Sequence, residues 1–342
     1  MEPIEELLEL ARVLDRSGFD AFWLGEAYPW WRRHQMEARS STSIAALVAR
    51  ETQRIAVGLG IVSPYTRHPI QIAMEARVLQ EVAGPGRFYL GLGASKIFMK
   101  ARSSSAKPDR PLTAMREALE IIRAVLEGDE LSYQGKEFVA EVPALAPEAD
   151  APHGAVPLYV GATGPKMLGL AGTLADGLIT ASITTPEFLR YARGLLAAGA
   201  AEAGRNVEEL DVAAVIVASI DEDPERGKDG AREIAGMYLA NKVQNIQGAA
   251  DVLLEKAGLT FEEIQPVADA LLSGGRKACA EAVTDEVFRK VKPIAGSPSE
   301  CIEAIEEYRD AGCTHVQLEL WGENRARQAQ LFGERVLPHF RR

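Results

Sequence analysis

Two kinds of residue in this sequence have types and spacing suited to chemistry. The first is a glycine turn. Pro157-Leu158-Tyr159-Val160 reads as a short apolar strand, Gly161-Ala162-Thr163-Gly164 as a turn, and Pro165-Lys166-Met167-Leu168 as a helix start. Gly161 and Gly164 permit close backbone approach, Pro165 suits a first helical position, and the free amides beyond the turn point at one spot. A helix N-terminus of this kind holds phosphate through unpaired N–H groups and the positive end of its dipole, and Lys166 adds a charge. An ordinary strand-to-helix connection shares the pattern, so the surroundings must decide. The second kind is a carboxylate at a strand end. Glu26 closes one apolar run and Glu319 stands near the end of another, and either could transfer a proton. Their ordinary alternatives are a solvated rim carboxylate for Glu26 and an ion pair for Glu319.

Other side chains gather near the same strand ends. Trp30 and Trp31 could stack on a planar ring or pack against a helix. Thr66 is placed to donate a hydrogen bond to a ligand. Arg67 and His68 precede Pro69, which makes the segment extended, and they fit either an anion contact or the start of a helix. Lys96 follows a third strand and could touch phosphate or stand in solvent. Asp176 begins a strand at the opposite end, where a structural role is expected.

Composition narrows the partners. With 38 basic and 49 acidic residues the net charge is −11, which repels nucleic acid and anionic membranes. Cys279, Cys301 and Cys313 are an odd number without metal-like spacing, so reduced thiols of a cytoplasmic protein are expected and no metal site is. The acidic start, Met1-Glu2-Pro3-Ile4-Glu5-Glu6, is unlike a signal peptide, and no apolar run reaches the ~20 residues of a membrane span.

The elements that must position these residues repeat with a period of about 32 residues, the size of a strand–helix unit in a parallel sheet. A helix follows Pro3 and ends at Gly18. Strands are expected at 21–26, 54–62, 87–93, 157–160, 177–181, 211–220 and 315–320, with helices between them. The segment 96–156 interrupts the period with a helix from Pro111 to Leu126, a hairpin around Tyr133-Gln134-Gly135-Lys136 and a Pro- and Ala-rich surface loop. A helical insertion covers about 223–293, and Ser297-Pro298-Ser299-Glu300 is a helix-start signal. Seven parallel strands against the eight of a closed α/β barrel imply that the first is missing, either absent from this polypeptide or removed by a misplaced start codon. An open doubly wound sheet is the alternative.

At Gly58-Leu59-Gly60-Ile61-Val62-Ser63-Pro64-Tyr65-Thr66-Arg67-His68-Pro69 the sequence resembles the luciferase-like flavin and deazaflavin oxidoreductases, most closely their methylenetetrahydromethanopterin reductase branch. Gly91-Leu92-Gly93, Pro157 to Gly177 and Asp211-Val212-Ala213-Ala214 support the resemblance, which extends to Val336-Leu337-Pro338 and thus over nearly the whole chain. It implies a single TIM-type (β/α)8 barrel domain over 1–342, lacking its first strand here and carrying a helical insertion before the last strand. It also implies coenzyme F420, an 8-hydroxy-5-deazaflavin, or alternatively FMN, at the carboxyl ends of the strands.

By the same resemblance Gly161, Ala162, Thr163 and Gly164 would hold the cofactor phosphate. The ring would lie against a bulge with a cis Gly60–Ile61 peptide, near Gly93, Thr66 and Trp30. Three positions depart from the pattern: the histidine expected after Glu26 reads Ala27, the acid expected after Gly93 reads Ser95, and the strand bearing a catalytic glutamate is not in the sequence. Glu26 and Glu319 are then the catalytic candidates. The implied reaction is hydride transfer between F420 and a small organic substrate, a methylene-tetrahydropterin or methylene-tetrahydrofolate one-carbon carrier. The alternatives are an FMN-dependent monooxygenase or reductase and an inactive cofactor-binding paralogue. A homo-oligomer, dimer or tetramer, is expected.

Overall fold

The computed structural model describes residues 3–26, 39–94, 99, 103–144, 155–246, 251–321 and 324–341. They form two compact units. The first comprises Met1–Ala162, Lys166–Ile179 and Leu196–Leu210, and the second Thr163–Pro165, Thr180–Leu195 and Asp211–Arg342.

The first unit is built on parallel strands. Helix α1 (Ile4–Ser17) buries Leu8, Ala11, Val13 and Leu14 and stops at Gly18, whose φ of 87° is the left-handed conformation that a glycine adopts freely. Asp15 near its end accepts backbone N–H bonds from Gln53 (2.9 Å), Arg54 (3.1 Å) and Ile55 (2.8 Å). Burial alone would push the Asp15 carboxyl up, but these donors and the Arg54 charge hold it below its ordinary value. The helix is thereby tied to the start of the second strand. Strand β1 (Ala21–Leu24), α2 (Ser41–Glu51), β2 (Ala56–Val62), α3 (Pro69–Ala83) and β3 (Phe88–Leu92) then alternate. Helix α4 (Pro111–Glu127) and an antiparallel hairpin, β4 (Leu131–Gln134) with β5 (Val139–Val142), follow at the expected place. The buried Glu117 carboxylate pins that hairpin by accepting N–H bonds from Lys136, Glu137 and Phe138. Strand β6 (Leu158–Gly161), α5 (Pro165–Leu174) and β7 (Gly177–Ile179) complete the parallel order β1-β2-β3-β6-β7.

The second unit carries β8 (Asp211–Ile220), a ten-residue run that after Asp211 is apolar on both faces apart from the buried Ser219, as suits a strand covered on both sides. Helix α6 (Pro186–Glu202) precedes it. The insertion is helical, as its sequence requires: α7 (Pro224–Ile246), α8 (Val252–Lys256), α9 (Phe261–Glu281) and α10 (Asp285–Val291) pack around Ile234, Leu239, Ile264, Val267 and Phe288. Helix α9 opens on a Thr260/Glu263 capping box and is broken at Gly275, with φ 74° and ψ −162°. A short strand, β9 (Ile294–Gly296), pairs in parallel with Ala218–Ile220. It was not expected: three residues are too few to show a strand period, and the sequence reads there as the end of the insertion. The Ser297/Glu300 capping box starts α11 (Pro298–Asp310) as read. Strand β10 (His315–Glu319) pairs with β8 from His315↔Ala213 to Glu319↔Val217, and α12 (Arg325–Arg335) and α13 (Leu337–Phe340) end the described chain. Among the described residues no helix is long and apolar enough to cross a membrane.

Candidate functional site

The end of β2 is irregular in the way the family resemblance implies. The Gly60–Ile61 peptide is cis, and the register with β3 shifts between Leu59 and Val62. This bulge carries the Ile61 side chain over the ends of the two next strands. A Cβ added at Gly93 would lie 2.4 Å from Ile61 Cδ1, and one added at Gly161 would lie 2.9 Å from Ile61 Cγ2. Both glycines are therefore needed to seat Ile61. Sequence reading gave Gly161 to a phosphate and Gly93 to a ring; the structure gives each a packing reason as well. Beneath the bulge Trp23 stacks on Tyr89 with centroids 5.6 Å apart and meets Tyr159 edge-on at 5.3 Å. The bulge thus rests on an aromatic layer.

Gly164 differs from these two. Among the described residues a Cβ there would meet nothing within 4 Å. It precedes Pro165, the first residue of α5, so unfilled space lies beside the turn at the start of a ten-residue helix. That is the room an anion on the helix N-terminus requires, and Thr163 and Ala162 complete the turn. The turn therefore leaves room for a phosphate group.

Glu26, just beyond β1, is neither free nor a plain surface carboxylate. Its Oε2 accepts from the Ser41 backbone N–H (3.1 Å), the Ser41 hydroxyl (2.8 Å) and Arg67 Nη2 (2.8 Å). The two side chains are 10% and 14% exposed, so the ion pair is largely out of water. The Glu26 carboxylate thereby lies against Ser41, the first residue of α2, where the positive end of the helix dipole favours its negative charge. Arg67 reaches Glu75 on α3 with its Nε at 3.6 Å from Oε2. This arrangement orients the guanidinium and leaves Glu26 Oε2 saturated with donors. His68 acts as the cap of α3 through Nδ1, which accepts from Ile70 N–H at 3.3 Å. Thr66 spends its hydroxyl proton on the Ser63 carbonyl at 3.0 Å, so as placed it can offer a ligand only an acceptor.

In the second unit Glu319 ends β10 and is held by two donors. Tyr238 Oη donates to its Oε2 at 2.9 Å and Trp321 Nε1 donates to the same oxygen at 3.0 Å. The Tyr238 and Trp321 rings meet edge-on with centroids 5.8 Å apart. Arg276, one residue past the break in α9, lies over the Trp321 ring at 5.6 Å. No ion pair to Glu319 occurs among the described residues, so a hydrogen-bonded carboxylate replaces the expected salt bridge. Burial and the Glu319 charge push the Tyr238 phenol well above its ordinary value, which keeps it a donor.

Asp176 has the structural role read for it, accepting from Leu158 N–H at 2.8 Å and pairing with Arg123 at 3.0 Å. Trp30, Trp31, Ala27, Ser95 and Lys96 lie outside the described residues. The residues that sequence reading missed are Ser41, Glu75, Tyr238 and Trp321. Trp321 is two positions beyond Glu319 and could have been noticed; Tyr238 is 81 residues away and carried no local signal. Among the described residues no group of three or more His, Cys, Asp or Glu is placed to hold a metal ion.

Parallel strands alternating with helices, with a bulge and a glycine turn at strand ends, define an α/β protein of the TIM type whose site residues follow its strands. Comparison with known proteins fixes the family: the luciferase-like monooxygenase profile matches residues 1–315, and the chain belongs to that family. The 5,10-methylenetetrahydromethanopterin reductase of Archaeoglobus fulgidus is 32% identical over 338 residues, 97% of this chain and 95% of that one. An F420-dependent glucose-6-phosphate dehydrogenase of Nakamurella multipartita is 29% identical, covering 98% of this chain and 92% of its own. Among solved structures, the coenzyme F420-dependent tetrahydromethanopterin reductase of Methanopyrus kandleri superposes with a TM-score of 0.83 at 29% identity, over 99% of this chain and 96% of that one.

Proposed function

We propose that this chain is an oxidoreductase that moves a hydride between coenzyme F420 and a methylene-tetrahydropterin or methylene-tetrahydrofolate one-carbon carrier. The observation that carries this reading is the shelf made by Ile61 on Gly93 and Gly161, an apolar surface at strand ends suited to backing a flat ring. Relatives named for F420 align over nearly their full length, which supports the deazaflavin over FMN. When bound, the deazaflavin exchanges hydride through its C5 carbon. Gly60, Ile61 and Gly93 would back its ring, Thr66 would offer it an acceptor, and Gly161, Ala162, Thr163 and Gly164 would hold its phosphate.

Reducing a methylene bridge between two nitrogens adds hydride to carbon, breaks one C–N bond and puts a proton on the nitrogen released. Glu319 supplies that proton. Glu26, ion-paired with Arg67 at 2.8 Å largely out of water, is held as a carboxylate and orients that guanidinium instead. The chain works as a cytoplasmic homo-oligomer, in keeping with its free buried cysteines and with Met74 and Val78, exposed one turn apart on α3. The test is a titration of the ligand-free chain with F420 and with FMN, each followed by its own fluorescence, and sedimentation for the oligomer. Tighter binding of F420 supports the reading, and tight binding of FMN alone refutes it.

A further inference from the structure

The two donors that hold Glu319 both end on one oxygen. Tyr238 Oη is 2.9 Å and Trp321 Nε1 3.0 Å from Oε2, and Oε1 receives no hydrogen bond among the described residues. The direction of these bonds is fixed. An indole N–H can only donate. Tyr238 remains a neutral phenol and faces a carboxylate, which can only accept, so its proton points to Glu319. Neither donor is loose: Trp321 is gripped through its carbonyl by Gln328 Nε2 at 3.4 Å and covered by Arg276, which Glu233 approaches at 3.9 Å. With Oε2 facing two donor hydrogens, a proton added to this carboxyl has its place on Oε1.

We propose that Tyr238 and Trp321 are positioning residues that occupy Oε2 of Glu319 and so make Oε1 the atom that gives and takes the proton. The proposal rests on the reading of Glu319 as the proton donor. In the reducing direction the O–H bond at Oε1 breaks as the substrate C–N bond breaks. The released nitrogen takes the proton, the carbon has taken the hydride, and Glu319 is left as a carboxylate that water reprotonates. In the reverse direction Oε1 receives the proton from that nitrogen. The groups facing Glu319 are Tyr238 from α7 and Trp321, with Arg276 from α9 over the Trp321 ring. Neither positioning residue needs to touch substrate. Both bear on the rate of proton transfer and not on substrate affinity.

The experiment compares E319Q, Y238F and W321F, with F420 and methylene-tetrahydromethanopterin as the loaded system and the ligand-free chain as a second readout. E319Q should lower kcat by about 10²–10⁴-fold, the size of a general-acid contribution. Y238F and W321F should each lower kcat by about tenfold with KM unchanged, and the pair should lose less than the product because both fix one oxygen. In the ligand-free chain the emission of Trp321, taken as wild type minus W321F, should shift in E319Q, because the indole N–H then faces an amide instead of a carboxylate. If E319Q turns over at the wild-type rate, the proton-donor reading falls and the positioning inference with it. If E319Q is inactive while Y238F and W321F keep wild-type kcat, or lose only in KM, the reading stands and the positioning inference is overturned. An unshifted Trp321 emission in E319Q overturns it as well, without recourse to activity.

Discussion

Replacing Gly93 by alanine places a methyl group 2.4 Å from Ile61 Cδ1, 2.9 Å from Cγ1 and 3.4 Å from Cβ. The end of the isoleucine can rotate away, but its Cγ2 already faces Gly161, where a Cβ position lies at 2.9 Å. The side chain has glycine-sized clearance on both flanks, so the strain of about 1–3 kcal/mol typical of an overfilled site cannot be shed by one rotamer change. A displacement costing about 2 kcal/mol in the ligand-bearing conformation weakens cofactor binding about thirtyfold. Ile61→Ala removes Cγ1, Cγ2 and Cδ1 together and, at this half-buried position, costs about 2 kcal/mol in lost contacts. In the double variant the new methyl occupies the vacated space, and a favourable coupling of about 1–2 kcal/mol is expected. Urea denaturation and F420 titration of the four proteins measure both quantities. A Gly93→Ala chain as stable and as tight-binding as wild type, or a strictly additive double variant, would refute the argument.

Gly164→Val should leave the chain folded, with a loss of no more than the roughly 1 kcal/mol of a poorer helix cap, since among the described residues a Cβ there meets nothing within 4 Å, yet weaken F420 by at least about tenfold; a deazaflavin riboside without phosphate should bind both proteins equally. Glu26→Ala strands Arg67 with only Glu75 at 3.6 Å and should cost about 3 kcal/mol of stability by denaturant titration, with Glu26→Gln recovering part of it. Burial pushes the thiols of Cys279 to about 11 and of Cys301 and Cys313 to about 12, so a thiol reagent at pH 8 should modify none of them until the chain is unfolded. Their unfolded value is near 8.5, so the neutral thiols contribute stability that is complete below about pH 8.5 and is lost as the pH rises toward 11 and 12; alkaline melting curves of the triple Cys→Ala protein should fall less steeply.

What could be read from sequence was whatever repeats locally. The continuous apolar runs of β2 and β8 and the capping boxes at Thr260 and Ser297 concern neighbours a few residues apart, and their elements lie where the sequence put them. The bulge was legible through resemblance, because its motif is contiguous. What was not legible joins distant positions. Glu26 and Arg67 were two separate rim groups in the sequence, and only folding brings them to 2.8 Å across 41 residues. Gly93 and Gly161 looked like ligand-facing glycines because nothing in either neighbourhood reveals that Ile61 lies over both. Tyr238 sat in an insertion read simply as helical, and its meeting with Glu319 depends on how α7 packs over the end of β10. The three-residue strand β9 was missed because a period of two needs more residues to show itself.

The central claim is that this chain transfers hydride between F420 and a one-carbon carrier. Its most direct test is to mix the purified chain with reduced F420 and methylene-tetrahydromethanopterin and to follow the visible absorbance of the oxidised deazaflavin. The absorbance should rise with each substrate molecule converted to the methyl form, and about 10²–10⁴-fold more slowly in Glu319→Gln. A chain that leaves reduced F420 unoxidised in the presence of this carrier and of methylene-tetrahydrofolate, while oxidising reduced FMN, would contradict it.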